Sequence, residues 1–186
     1  SLHDALPILA FVDGDLERVD VPTSPAQCRT SPGADWRAAP TYCDLATALA
    51  DAPNPAVIRM RAAEHVDRGP WWIEEQRTVV VMAAPGEGPV MVRAPSTADP
   101  YLFHTSSSSR VYLAGLVARG PGALGSAVGF ECVGASGQVT QLWLDDVDAQ
   151  SFDTGVRTDG CDVHLRRSAI HDNEGFGVDV TGRTVT

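Results

Sequence analysis

Beyond residue 55 the chain is written in short apolar runs separated by polar or glycine-bearing turns. The runs are AVIRMRA, RTVVVMAA, PVMVRA, YLFHT, RVYLAGLVA, AVGFECV, QVTQLWLDDVDA, TGVRTD, CDVHLRRSAI and FGVDVTG. They are rich in β-branched and aliphatic residues, and several alternate apolar with polar positions, as a strand with one face in a core does. Two-residue hairpin turns of the Asn-Gly type do not separate them, which favours one-way coiling over a meander. Upstream, CDLATALAD at residues 43–51 reads as the one convincing helix. Leu45 and Leu49 are four apart among alanines, and Pro53 and Pro55 stop it. Residues 9–40 hold no sustained period and carry Pro22, Pro25, Pro32 and Pro40, so they are expected to form an irregular N-terminal extension.

An internal repeat decides the architecture. When RVYLAGLVARG, QLWLDDVDAQS and DVHLRRSAIHD are superposed, Val111, Leu142 and Val163 share a column, as do Leu113, Leu144 and Leu165. Further columns hold Leu116, Val147 and Ser168, then Ala118, Ala149 and Ile170. A second block aligns Gly129, Gly155 and Gly177, then Phe130, Val156 and Val178, then Cys132, Thr158 and Val180. The first set steps by 31 and 21 residues, the second by 26 and 22. A unit of ~22 residues cannot bury its apolar face alone but can do so against copies of itself. Stacking at a strand spacing of ~4.8 Å sets each column inside a cylinder and turns Tyr112, Trp143 and His164 outward.

These features resemble the right-handed parallel β-helix proteins of the pectate-lyase-like superfamily. LFHTSSSSRVYLAGLVARG is similar to that family's coil signature, and VHLRRSAIHDNEGFGVDVTG to its next-coil form, with the turn Asn173-x-Gly175-x-Gly177-Val178. The helix followed by AVIRMRA resembles the family's N-terminal cap feeding a first strand. The resemblance spans roughly residues 43–182. It implies an all-β, right-handed parallel β-helix solenoid over residues 41–186, with a short cap helix at 43–51 and about five coils. Coiling continues to Thr186 without a closing cap, so the chain is expected to be a fragment truncated at its C-terminus.

Composition narrows the partners. The formal net charge is -10, and all 14 basic residues are Arg. An acidic chain without a basic cluster is a poor match for phosphate, which argues against nucleic acid. No apolar run reaches the ~18 residues of a membrane helix. The absence of Lys, with Ile and Asn scarce, points to a GC-rich bacterial genome rather than to protein physics. Residues 1–8, SLHDALPI, resemble a translated short-read sequencing adapter, as a metagenomic fragment would carry, and are set aside as non-native. His3 and Asp4 go with them, and a signal peptide is expected to have been lost with the true start.

Four cysteines allow three pairings. Cys28 and Cys43 flank the cap helix and are candidates for an extracytoplasmic disulfide. Cys132 and Cys161 are a second candidate pair, with buried free thiols the competing reading. No CxxC is present, so zinc is not expected.

The outward column Tyr112, Trp143, His164 is the candidate substrate-binding strip, its rings stacking on sugars; the alternative is aromatic packing under a loop. Asp145 and Asp146 should lie one coil below Arg166 and Arg167. The resemblance implies that lyases of this superfamily hold Ca²⁺ with clustered Asp and use Arg or Lys as base, and that its hydrolases pair two Asp. Asp145, Asp146, Asp148, Arg166 and Arg167 are thus the catalytic candidates, with Asp153 in the following turn. The competing reading is a ladder of surface ion pairs worth about 0–1 kcal/mol each. No polygalacturonase-type Gly-Asp-Asp with a partner Asn-x-Asp is present. His171, Asp172, Asn173 and Glu174 offer oxygens to Ca²⁺, or side-chain hydrogen bonds along an Asn ladder. Of Trp71 and Trp72, one is expected to pack over the cap; a ligand contact is the alternative. No phosphate loop, nucleophile elbow or His-x-x-x-His motif appears.

The expectation is a secreted or cell-surface β-helix protein, a polysaccharide-facing binding or scaffold module that needs no cofactor. The alternatives are a polysaccharide lyase (with Ca²⁺) or glycoside hydrolase of the same superfamily, and a structural stalk or adhesin. Oligomeric state is not legible.

Overall fold

The computed structural model describes residues 17–21, 42–61, 64–66, 70–86, 88–94, 100–122, 127–137, 139–182 and 185–186. Strand β1 (Glu17–Val21) is followed by helix α1 (Leu45–Asp51). Asp44 caps α1, its carboxylate accepting from the Thr47 amide at 2.6 Å and from the Thr47 hydroxyl at 3.0 Å. That satisfies a donor the first helical turn leaves open. At the other end, the Arg77 guanidinium donates to the carbonyls of Leu49 and Ala52. A cation there matches the negative end of the helix dipole. Burial pushes the Arg77 pKa down from its ordinary value, against the raising influence of Glu75.

After α1 the chain makes repeated passes of three strands each. The first is β2 (Ala56–Met60), β3 (Glu64–Val66) and β4 (Trp71–Ile73), and the second is β5 (Thr78–Ala83), β6 (Val90–Arg93) and β7 (Tyr101–Thr105). Then come β8 (Arg110–Ala114), β9 (Leu116–Arg119) and β10 (Val128–Val133), and β11 (Gln141–Asp145), β12 (Asp148–Gln150) and β13 (Thr154–Asp159). The last described pass is β14 (Asp162–Arg166), β15 (Ala169–His171) and β16 (Phe176–Thr181). Three sheets result, ordered β1-β2-β5-β8-β11-β14, β3-β6-β9-β12-β15 and β4-β7-β10-β13-β16. Every strand pairing within them is parallel among the described residues. The chain therefore visits the sheets in fixed cyclic order, and each strand finds its partners one pass away. The protein is all-β with mostly parallel strands, an arrangement compatible with a β-helix-like fold.

Register sets the repeat columns on one another. Val111, Leu142 and Val163 pair in line, as do Leu113, Leu144 and Leu165. In the third sheet, Phe130 aligns with Val156 and Val178, and Cys132 with Thr158 and Val180. Side chains from all three sheets join one buried cluster. Full burial of a Val, Leu or Phe stabilises by ~1.5–3 kcal/mol, so these columns dominate the fold's favourable energy. An inner aromatic row runs through it: Trp71 packs on Phe103 at 4.6 Å between centroids, and Phe103 stacks on Phe130 at 5.4 Å. Leu165 is only partly buried, because β14 ends its sheet with a single bridge, Val163 to Val185, beyond it.

One difference from the sequence reading lies upstream. Within residues 9–40, expected to be irregular, β1 pairs in parallel with β2 over five residues, Glu17 against Ala56 to Val21 against Met60. The edge of β2 supplies the backbone partners that make this short segment a strand. Residues 1–8 lie outside the described residues. No helix among those described is long and apolar enough to cross a membrane.

Candidate functional site

The corner between the first and second sheets gathers most of the charged candidates. The last three passes turn it through one left-handed residue each: Gly115 at φ 66°, Asp146 at φ 56° and Arg167 at φ 51°. Backbone bonds bind the corners together, the Gly115 amide donating to the Asp145 carbonyl and the Asp146 amide to that of Arg166. Stacked corners leave a groove of about 510 Å³, lined by Ala83, Pro89, Val117, Asp146, Asp148 and Arg167 among others.

Asp145 ends β11 and is 5% exposed. Its Oδ2 accepts from the Tyr112 hydroxyl at 2.6 Å, and its Oδ1 from Arg167 Nε at 3.0 Å and from the Arg167 NH2 group at 2.9 Å. Arg166 lies 3.9 Å from Oδ2. Both arginines thus converge on Asp145, and Arg167 does not sit over Asp146 as a column-by-column ladder would require. The left-handed turn at Arg167 swings its side chain back across the corner. Asp146 is exposed and has no side-chain partner among the described residues. Burial first, then the hydrogen bond and charge of Asp145, push the Tyr112 phenol well above the ordinary tyrosine range.

Beside this knot, His171 lies between two carboxylates, Nε2 at 2.9 Å from Asp148 and Nδ1 at 2.9 Å from Asp172. The Asp172 hydrogen bond, aided by Asp148, holds the imidazole above its usual pKa despite some desolvation. Asn173 Oδ1 accepts from the Phe152 amide at 3.0 Å, so this side chain stitches its turn to the previous pass. Asp153 lies in that previous pass, and its carbonyl accepts from the Gly175 amide. Among the described residues, no three His, Cys, Asp or Glu side chains converge as a metal site.

The outward column Tyr112, Trp143, His164 is in register across β8, β11 and β14. Trp143 and His164 stack face to face, 5.1 Å apart and 15° from parallel. Their faces are turned to each other, and Tyr112 is tied down by Asp145. The column therefore presents edges rather than a flat strip. Cys132 and Cys161 form a disulfide, with Cα atoms 5.8 Å apart. Cys43 is disulfide-bonded too; Cys28, the expected partner, lies outside the described residues.

A second constellation, of which the sequence reading singled out Trp72 alone, lies on the outer face of the third sheet. Trp72, His104, Glu131, Arg157 and Asp179 are paired in register across β4, β7, β10, β13 and β16. His104 is 9% exposed and Glu131 7%. His104 Nδ1 donates to Glu131 Oε2 at 2.7 Å, and its Nε2 faces Glu74 Oε1 at 3.5 Å. The Ser106 hydroxyl donates to the same Glu74 oxygen at 3.0 Å. Trp72 and Tyr101 screen the imidazole, with centroids 4.3 Å and 5.3 Å from it. Burial, and then Glu131, raise the Tyr101 pKa. The signal was in the repeat alignment: Glu131, Arg157 and Asp179 fall between two inward columns and must point out.

Comparison with known proteins finds no family model, no curated protein and no solved structure that matches the chain.

Proposed function

We propose that the chain is a right-handed parallel β-helix of the pectate-lyase-like kind, serving outside the cell or at its surface as a polysaccharide-facing binding module. One observation carries the reading: the groove of about 510 Å³ at the first corner crosses successive passes. Its lining runs from Ala83 through Gly115 and Asp146 to Arg167, four stacked strand positions. At ~4.8 Å per strand that is a path of roughly 14 Å along the stack, a shape suited to a linear polymer. The lining is apolar at Ala83, Pro89, Val117 and Ala169, while Asp146, Asp148 and Arg167 offer hydrogen bonds. Apolar surfaces with a few placed polar groups are what sugar faces and hydroxyls need.

Catalysis at Asp145 is disfavoured because its carboxylate is already held by Tyr112 and Arg167. A lyase or hydrolase would have to rely on Asp146 and Asp148. The test is binding of neutral and acidic polysaccharides to the chain and to Val117→Trp, which fills the groove from an outward position on β9. The filled variant should bind at least about tenfold more weakly, with Trp143→Ala reporting any share of the aromatic column. Cleavage of a polyuronate that disappears in Asp146→Asn would replace binding by catalysis. Absence of binding to every polysaccharide would leave a stalk.

A further inference from the structure

We infer that the outer face of the third sheet carries a second site, built around Trp72 and Glu74, for an amine-bearing saccharide. The argument begins with exposure. Trp72 is 48% exposed, whereas the next two members of its column, His104 and Glu131, are almost wholly buried. Two rings form the walls, Trp72 and Tyr101, at 88° with centroids 6.0 Å apart. Half an indole open to solvent is a surface for the apolar face of a sugar or for a cation. The Glu74 carboxylate stands at the same edge with 41% of its side chain exposed. Ser106 and His104 fix its position from behind.

The charges that face this edge favour a cationic ligand. Glu74 and Glu131 are the carboxylates, and His104 lies between them. The nearby guanidinium, Arg157, is drawn to Asp179 at 3.7 Å on the far side of Glu131, although its charge still reaches Tyr101. An ammonium on a sugar ring placed over Trp72 meets an aromatic face and a carboxylate together. The chain's net charge of -10 adds a long-range attraction of the same sign. An N-acetylated sugar of the same shape gains the stacking but loses both electrostatic contributions.

The inference takes from the groove reading only the saccharide class; its residues are separate. The experiment is calorimetric titration of the whole chain with a fully deacetylated glucosamine oligomer and with its N-acetylated counterpart at low salt. The deacetylated oligomer should bind, and more tightly than the acetylated one. Trp72→Ala and Glu74→Gln should each weaken it about tenfold, as loss of a cation–π contact or a charge partner does. Val117→Trp should leave that binding unchanged. Trp72 is exposed and Glu74 partly so, and unchanged thermal melting of both variants checks the fold. Equal or tighter binding of the acetylated oligomer overturns the inference, as does unaltered affinity in both variants, or no binding of either oligomer. Binding lost in Val117→Trp alone keeps the groove and removes this site. Amine-selective binding lost in Trp72→Ala but insensitive to Val117→Trp keeps this site; the groove falls separately, if Val117→Trp leaves the binding of neutral and acidic polysaccharides unaltered.

Discussion

At Asp145 one carboxylate accepts from a phenol and a guanidinium while a second guanidinium stands close by. The residue is buried, but its arginine partners are about half exposed or more, so water relieves part of any loss. Asp145→Ala would leave Tyr112 without its acceptor and Arg167 without its anchor. A destabilisation of about 1–3 kcal/mol is expected, smaller than for a fully buried pair. Chemical denaturation of Asp145→Ala against the parent chain measures it. A change below a few tenths would mean that the knot is mere surface decoration. Asp145 was legible in the sequence as a charged candidate beside Arg166 and Arg167. Its burial was not, because that depends on Tyr112 reaching diagonally from β8 and on the left-handed turn at Arg167.

Among the elements, the repeat columns were the most legible part of the fold. Leu113 and Leu144 occupy equivalent places in successive passes, so the same environment selects the same kind of side chain. β1 was not legible, since its five residues become a strand by completing the edge of β2. The polar column on the third sheet was readable as outward positions at Glu131 and Arg157, but the burial of Glu131 was not, since it depends on His104, a neighbour from another pass. Corners impose a further demand that composition alone does not reveal. A Cβ on Gly134 would stand 1.8 Å from the Gly160 carbonyl oxygen of the next pass, and backbone cannot give way as a side chain can. Gly134→Ala is expected to cost about 3 kcal/mol. Gly88→Ala, where a Cβ meets nothing within 4 Å, should be close to neutral. Thermal melts of the two variants compare them, and equal melting temperatures would contradict the close stacking of corners.

For the whole molecule, every strand draws its hydrogen bonds from neighbouring passes, so stability is distributed in one dimension. Opening should begin where neighbours are fewest. Native-state hydrogen exchange is expected to show β14, β15 and β16 least protected and β8 and β10 among the most. The Cys132–Cys161 disulfide closes a separation of 29 residues across that gradient. By chain entropy such a link stabilises by about 3–4 kcal/mol. Its reduction should therefore lower protection most in β13 to β16; a uniform loss along the chain would show that the passes unfold as one.

The in-register column from Trp72 to Asp179 has a geometric consequence. Each outward side chain occupies a mark on a ruler whose graduation is the interstrand distance, while the inward side chains supply most of the packing that keeps the ruler straight. The exposed marks, Trp72 among them, can be rewritten with little disturbance of the inside. Duplicating one pass would lengthen the scale by a single graduation, ~4.8 Å, and shift two bound groups apart by that amount. A chain built this way changes the reach of its surface by counting, with no new fold required.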